Sequence, residues 1–507
     1  MTGPERLYVT AFDAQAGRSR AEVAVTDGID PVDVTYGELA HASECVAAGL
    51  VRFGLGPGDR LAIALQPSAA YLAVVLGCIR AGVAAAPLNT RLAMPELAGY
   101  LDKTKPRLGV FDEAHGGLAG ALPAGSVAIE DAHRRLPLVR RLDGIVAEPG
   151  GALRVDERSV ALILPTGGTT GVPKAAAMLQ QALWSSATAS SATQFGSDAE
   201  LWCTPLFHVG IAMLPLGVFL SGARLRLLPR FDVDAVVSAL ADRTQGITGM
   251  SVTYTLYRAI RNHASFEAVP RANLRRIACG GASITAANCL QIHADWPASA
   301  LNFGYASTEF GRACSASFEE LRAHDFIGVG RPVHNAQISI RDEKGRRLPA
   351  GEEGLITVRA PWSCDRYLND EPLTAATWTP YGVQVSDIGL ESYSGWFAIR
   401  GRVGDMIKTG GEIVYPADVE AVLNEHPLVA EVVVYGVPDD HWGERVEAAV
   451  VPSADAELTA EQVIEFARDR TAGYKLPKQV RFYESLPRTG AGKVDRRFLR
   501  VRSSRHD

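Results

Sequence analysis

Long apolar runs are missing from this sequence. No stretch of 18 uncharged apolar residues occurs in its 507 positions, which excludes a membrane-spanning helix and with it membrane insertion. Cysteine is sparse too: seven residues, at positions 45, 78, 203, 279, 289, 314 and 364, are scattered singly with no close pair. That excludes a disulfide-stapled scaffold and a cysteine-based metal site, and it fits a reducing, cytoplasmic compartment. Charge of one sign is nowhere concentrated. With 51 basic and 57 acidic residues the net charge is −6, so neither nucleic acid nor an anionic membrane surface is expected as a partner. The clusters Arg134-Arg135 with Arg140-Arg141, and Arg496-Arg497 with Arg500 and Arg502, are expected to be solvated faces. The opening residues Met1 to Arg6 lack the charged-then-apolar order of a secretory signal. No long repeat or low-complexity tract stands out, and Ser503 to Asp507 read as a disordered tail.

What is present describes a large globular chain. Hydrophobic residues make up 47% and charged residues 21%, and 507 residues exceed one ordinary core, so a large and a smaller domain are expected. Thr35-Tyr36-Gly37-Glu38 has the form of a capping box and opens a helix running to Phe53. Gly54 to Asp59 is turn-rich, and Leu61 to Leu65 reads as a buried strand. A helix-like run from Ala69 to Ala81 leads to the apolar Val83 to Leu88. Helix and strand thus alternate, which argues for α/β layers with parallel strands. The weakly patterned region from Asp112 to Glu157 reads as peripheral. Near the other end, Val432 to Val437, Ala448 to Val451 and the helical pattern from Glu461 to Thr471 describe a compact α+β unit of about 100 residues.

The apolar run Val160 to Leu164 reads as a buried strand that stops where Pro165-Thr166-Gly167-Gly168-Thr169-Thr170-Gly171-Val172-Pro173-Lys174 begins. Three glycines allow backbone N–H groups to converge on one point, three threonines add hydroxyl donors, and Lys174 adds a positive charge. Those are the parts of a phosphate cradle. It departs from the usual P-loop, because Pro173 precedes the lysine and Ala175 follows it. By itself the loop also admits the reading of an ordinary flexible turn.

The loop resembles the phosphate loop of the adenylate-forming superfamily of acyl-CoA synthetases, adenylation domains and luciferases, and further motifs follow in that superfamily's order. Pro205-Leu206-Phe207-His208-Val209-Gly210 is similar to the segment that lines and gates the acyl pocket. Arg275 to Ala282 resembles the strand and glycine turn that receive adenine and acid at Gly281 and Ala282. Asn302 to Glu309 is similar to the Tyr-Gly-x-Thr-Glu motif, with Ala306 in place of the common glycine. The resemblance gives Tyr305 to adenine, Thr308 to the α-phosphate and Glu309 to Mg²⁺, for which a carboxylate oxygen is a suitable hard ligand. Val385-Ser386-Asp387 looks like the Thr-Gly-Asp segment, with Asp387 accepting from the ribose hydroxyls. Gly401 to Glu412 is a close match to the inter-domain motif, in which Arg402 contacts ribose and phosphate. Gly404 stands where many members carry Asp or Lys at the hinge. Leu486-Pro487-Arg488-Thr489-Gly490-Ala491-Gly492-Lys493 resembles the segment carrying the adenylation lysine.

The resemblance implies an α/β fold with a large N-terminal domain of layered sheets and helices, including a smaller β-rich part, over residues 1–401. A small mobile α+β domain over residues 402–507 would carry Lys493. It implies an ATP-dependent carboxylic acid:CoA ligase acting through an acyl-adenylate, with ATP, Mg²⁺ and coenzyme A as the small-molecule partners. Thr166, Gly167, Gly168, Thr169, Thr170, Gly171 and Lys174 would hold the β- and γ-phosphates, with Thr308, Glu309, His208 and Lys493 nearest the chemistry. Lys408, Gly410 and Gly411 would form the face that meets the pantetheine thiol. Phe207, His208, Met250 and Phe303, with the small Gly281, Ala282, Gly304 and Ala306, suggest an apolar pocket for an aryl or medium-length acid. Three alternatives stay open: a carrier-protein or amine acceptor, activation of nitrite for diazotisation, and a non-catalytic nucleotide-binding relative. A homodimer is compatible with the composition.

Overall fold

The computed structural model describes residues 7–130, 136–150, 153–167, 172–193, 198–281, 284–325, 328–453, 456–488 and 494–504. They form a mixed α/β fold with a large N-terminal domain and a smaller C-terminal one. The helix Ala69–Ala81 buries every residue except Arg80, so no polar face is available to it and it belongs at the centre. Ser68 caps its start by accepting from the Tyr71 N–H, and Gly82, at φ 68°, ends it. Beside it runs the helix Tyr36–Arg52, opened by the expected capping box between Thr35 and Glu38. The two helices come close because position 77 is glycine; a Cβ there would stand 2.4 Å from Val46 Cγ1.

Among the described residues, two large sheets flank this centre. One has seven strands in the order Arg366–Tyr367, Lys174–Leu179, Val160–Thr166, Ala84–Pro87, Arg60–Ala64, Leu108–Asp112 and Val127–Ile129. Its middle is parallel, as the alternation of helix and strand implies, while Val160–Thr166 and Lys174–Leu179 are antiparallel. The other has nine strands, and within it Ala199–Trp202, Gly249–Val252, Arg276–Gly280 and Ala300–Ser307 are parallel neighbours. A single hydrophobic cluster joins Val25 and Leu225 of the nine-stranded sheet to Leu61 and Leu162 of the seven-stranded one. Each such buried aliphatic side chain contributes about 1.5–3 kcal/mol.

A five-stranded antiparallel sheet built on Glu353–Arg359 and Gly382–Glu391 is the smaller β-rich part. The C-terminal sheet pairs Val429–Asp439 with Gly443–Pro452 and packs the helices Pro416–Leu423 and Ala460–Arg468 on one core.

Three sequence readings are corrected by this packing. Arg141 is no solvated residue: its side chain is 1% exposed and donates from Nη2 to Asp27 Oδ2 at 2.8 Å, with Asp27 itself fully buried. A buried arginine is tolerated where a carboxylate compensates it. Arg496 and Arg500 are only partly solvated, each 2.6 Å from a carboxylate, Glu420 and Glu444 respectively, whereas Arg497 and Arg502 beside them are exposed as expected. Ser503 is not in a loose tail, because it ends the helix Arg496–Ser503 and is buried against the Tyr435 hydroxyl at 3.1 Å.

Candidate active site

The phosphate-type loop connects two adjacent antiparallel strands, and Thr166 stands in register with Lys174, so both ends of the loop are fixed at the same level of the sheet. Residues 168–171 of the loop lie outside the described residues, as do Ala282 and Lys493. Gly167 is exposed, with open space where a Cβ would be.

A second hairpin delivers the acidic group. The strands Ala300–Ser307 and Gly311–Ser317 are antiparallel, and Thr308, Glu309 and Phe310 make the turn between them. Ser307 Oγ accepts from the Glu309 N–H at 3.1 Å, which closes that turn locally. Glu309 is only 6% exposed. Its Oε1 accepts from the Tyr367 hydroxyl at 2.6 Å and from the Thr166 hydroxyl at 3.4 Å. Lys174 Nζ lies 5.0 Å from the centroid of the Tyr367 ring, within cation–π range. Thr166 and Glu309 are therefore in direct contact, and Lys174 is brought to them through Tyr367. Burial pushes the Tyr367 hydroxyl far up, and the charge of Glu309 and the hydrogen bond to it push it further, so it stays protonated and a donor.

Sequence reasoning missed Tyr367. It lies on the edge strand Arg366–Tyr367, paired in register with Ala176. Trp378 stacks edge-on against it at 4.8 Å and donates from Nε1 to the Cys364 carbonyl at 2.6 Å. The Cys364 N–H in turn donates to the Glu309 carbonyl at 2.8 Å. No pattern around Tyr367 signals this, since the contact depends on two separate strand pairings.

Tyr305, Asp387 and Arg402 form a second network. The Tyr305 hydroxyl donates to Asp387 Oδ2 at 2.6 Å and Arg402 Nε donates to Asp387 Oδ1 at 2.6 Å. Asp387 and Arg402 are register partners on Gly382–Glu391 and Phe397–Arg402. Burial, then the Asp387 charge, raise the Tyr305 hydroxyl well above its ordinary range. Asp387 is 3% exposed and holds both partners with two of its roughly four lone-pair sites, which leaves capacity for further donors.

The remaining expected residues are spread more widely. His208 is half-buried with its ring 4.5 Å from that of Phe207, just before the short helix Gly210–Met213. Gly281, at φ 80°, is exposed at the end of Arg276–Gly280. Met250 and Phe303 do not join the small residues expected to line an acid pocket. They belong to the hydrophobic cluster on the other side of the nine-stranded sheet from Gly304, because side chains alternate along a strand. Lys408, Gly410 and Gly411 lie outside both networks, on the hairpin Ile407–Thr409 to Glu412–Val414. Gly410 and Gly411 form its two-residue turn with φ of 58° and 86°, a geometry that favours glycine at both positions.

A nucleotide with its divalent cation fits the Glu309 cluster by its donor set. Magnesium commonly takes only one or two protein carboxylates and completes its shell with phosphate oxygens and water. Both hydrogen bonds to the Glu309 side chain fall on Oε1. Among the described residues no group of three or more His, Cys, Asp or Glu forms a metal cage, and none is required for this mode of binding.

Comparison with known proteins adds the following. Residues 12–368 match the model of the AMP-binding enzyme family, and residues 418–493 match that of the AMP-binding enzyme C-terminal domain. Feruloyl-CoA synthase of Amycolatopsis sp. is 32% identical over 466 residues, covering 91% of this chain and 92% of that protein. The 2-succinylbenzoate–CoA ligase of Bacillus cereus (strain ATCC 10987 / NRS 248) is 30% identical over 479 residues, covering 93% and 94%. The crystal structure of ATP-bound MatB from Rhodopseudomonas palustris aligns over 99% of each chain with a TM-score of 0.86 at 26% identity.

Proposed function

The chain belongs to the AMP-binding enzyme family, and from that membership we infer an ATP-dependent, AMP-forming ligase that joins a carboxylic acid, here an aryl or medium-length one, to the thiol of coenzyme A. A carboxylate is a poor electrophile, so the acid first attacks the α-phosphorus of ATP. An acyl–phosphate bond forms, the bond to the β-phosphate bridge breaks, and pyrophosphate leaves. The thiol, losing its proton, then attacks the acyl carbon and AMP departs with the electron pair. Little covalent work falls to the protein; positioning and charge neutralisation dominate.

The observation that carries the reading is the cluster at the base of the phosphate hairpin, in which Glu309 accepts from both Thr166 and Tyr367 and Lys174 lies over the Tyr367 ring. In this reading the loop 166–171 and Lys174 bind the β- and γ-phosphates. Thr308 takes the α-phosphate, and Glu309 holds Mg²⁺, which supplies charge neutralisation when bound. Tyr305, and Gly281 with Ala282, flank adenine. Asp387 and Arg402 hold the ribose, and His208 gates the acid. The boundary at 401/402 separates a body from a mobile domain whose Lys493 serves adenylation and whose Lys408, Gly410 and Gly411 face serves the thiol. Seven free, buried cysteines support a reducing compartment such as the cytoplasm.

ATP–pyrophosphate exchange over a panel of aryl and medium-length acids, each with and without coenzyme A, tests this. One acid supporting exchange and becoming a thioester is the expected result. Exchange without thioester would move the acceptor to a carrier protein or an amine, and silence with every acid would point to nitrite activation or a non-catalytic role. Lys493→Ala is expected to lower exchange by at least about a hundredfold, the scale of losing one charge-stabilising group. It should spare thioester formation from preformed acyl-adenylate; equal loss of both half-reactions would contradict the division of labour.

A further inference from the structure

The nine-stranded sheet has two unlike faces where its parallel strands run side by side. One carries Leu201, Met250, Val252, Ile277, Cys279, Leu301 and Phe303, all in one apolar cluster. By alternation the other carries Glu200, Trp202, Ser251, Arg276, Ala278, Gly280, Asn302 and Gly304. The small residues lie at the end nearest Gly281 and Tyr305, and the charged pair lies at the far end. From Gly280 back to Arg276 is four residues, about 13 Å along an extended strand.

Glu200 and Arg276 are two strands apart, each in register with Gly249 between them. Because position 249 has no side chain, the carboxylate and guanidinium meet across it, Arg276 Nη2 standing 2.5 Å from Glu200 Oε1. Ser251 Oγ donates to the same oxygen at 3.0 Å. The Glu200 side chain is fully buried and that of Arg276 is 13% exposed, yet among the described residues Glu200 Oε2 and Arg276 Nε have no hydrogen-bond partner, nor has the buried Nε1 of Trp202 on the same face. Burial pushes the Glu200 carboxyl up, with Arg276 drawing it the other way. An unmatched buried acceptor beside an unmatched buried donor is costly, and such sets persist where water or a ligand completes them.

We propose that the Glu200–Arg276 pair reads a hydroxyl at the far end of the acid, so that the substrate is a hydroxyaryl acid whose ring lies over Ala278, Gly280 and Gly304. This rests on the ligase reading. A hydroxyl is the group that both orphans require, since it donates to Oε2 and accepts from Nε. A second carboxylate there would meet Glu200 with like charge. An unsubstituted ring would leave both atoms unpaired. The pair itself is neutral, and the Arg312 guanidinium that acts on Arg276 makes a far-end carboxylate the competing ligand to be tested against the phenol.

The test is ATP–pyrophosphate exchange by the full chain with three acids differing only at the ring's far end: 4-hydroxycinnamate, cinnamate and 4-carboxycinnamate. The hydroxy acid is expected to exceed cinnamate in kcat/KM by at least about a hundredfold, the discrimination of a site built to bond a hydroxyl. Glu200→Gln should shrink that ratio to about tenfold or less, because kcat/KM for the hydroxy acid falls further than that for cinnamate. The wild-type ratio stands whether or not the variant folds. Equal rates for hydroxy acid and cinnamate would overturn the inference while leaving the ligase intact, as would preference for 4-carboxycinnamate, which would assign the far end to the nearby Arg312 guanidinium. Absence of exchange with any acid would overturn the ligase reading and this inference with it.

Discussion

Glu309 is a carboxylate held nearly out of water by neighbours that no local pattern announces. Its hydroxyl donor, Tyr367, is 58 residues away in sequence, and the Asp387 acceptor of Tyr305 is 82 away. Residue types suited to phosphate and metal were legible because Thr, Gly, Lys and Glu stand in a recognisable order. Their supports were not, because a tyrosine on a two-residue edge strand carries no periodic signal. Tyr367→Phe keeps the ring beneath Lys174 and removes only the donor to Glu309. Losing a hydrogen bond to a charged, buried group costs about 1.5–3 kcal/mol, so pyrophosphate exchange should fall about ten- to a hundredfold with the fold retained. Unchanged exchange in a folded variant would remove Tyr367 from the site.

Elements were read best where one residue both starts and orients them. The capping box at Thr35 and the helix from Ala69 to Ala81 came out as the sequence implied. The peripheral region after Asp112 was less legible, because its short Glu113–Ala121 segment in 3₁₀ form has no strong period. Asp112 organises it: its Oδ1 accepts from the His115 N–H and lies 2.7 Å from the His115 ring, while its Oδ2 accepts from the Gln66 N–H at 2.7 Å. Burial works against the charge of Asp112, but these hydrogen bonds prevail and hold its carboxyl below the ordinary range. A depressed folded value means that the carboxylate stabilises the fold fully above the unfolded value of about 3.9 and ceases to do so as pH falls through the folded value. Asparagine keeps only one of the two acceptor oxygens, so the stability advantage of the wild type over Asp112→Asn, about 1 kcal/mol at neutral pH for the hydrogen bond lost, is expected to shrink in acid. Urea unfolding at several pH values measures it, and an advantage that grows on acidification would reverse the sign.

For the whole molecule, the proposed movement of the C-terminal domain between the two half-reactions can be tested at its hinge. Gly404 follows Arg402 in a turn closed by the Asp405 N–H donating to the Arg402 carbonyl at 3.0 Å. It is absent from the residues at positive φ, and a Cβ there would meet nothing within 4 Å, so alanine fits the conformation seen. Any penalty for Gly404→Ala arises only if the rotated state uses left-handed backbone, which costs an L-residue about 1–2 kcal/mol. The expected outcome is adenylation within about twofold of wild type and thioester formation slowed about tenfold, read by single-turnover assays of each step. Equal slowing of both would take the hinge away from this residue. By itself the sequence determined the alternation of helix and strand, the C-terminal α+β unit and the order of the motifs, since each is written in spacings of a few residues. Only the tertiary structure decided that Tyr367 holds Glu309, that Tyr305 and Arg402 share Asp387, that Asp27 buries Arg141, and that Glu200 meets Arg276 over Gly249. Those pairings depend on strand register and sheet order, which bring together residues tens to hundreds of positions apart and leave no trace in local periodicity.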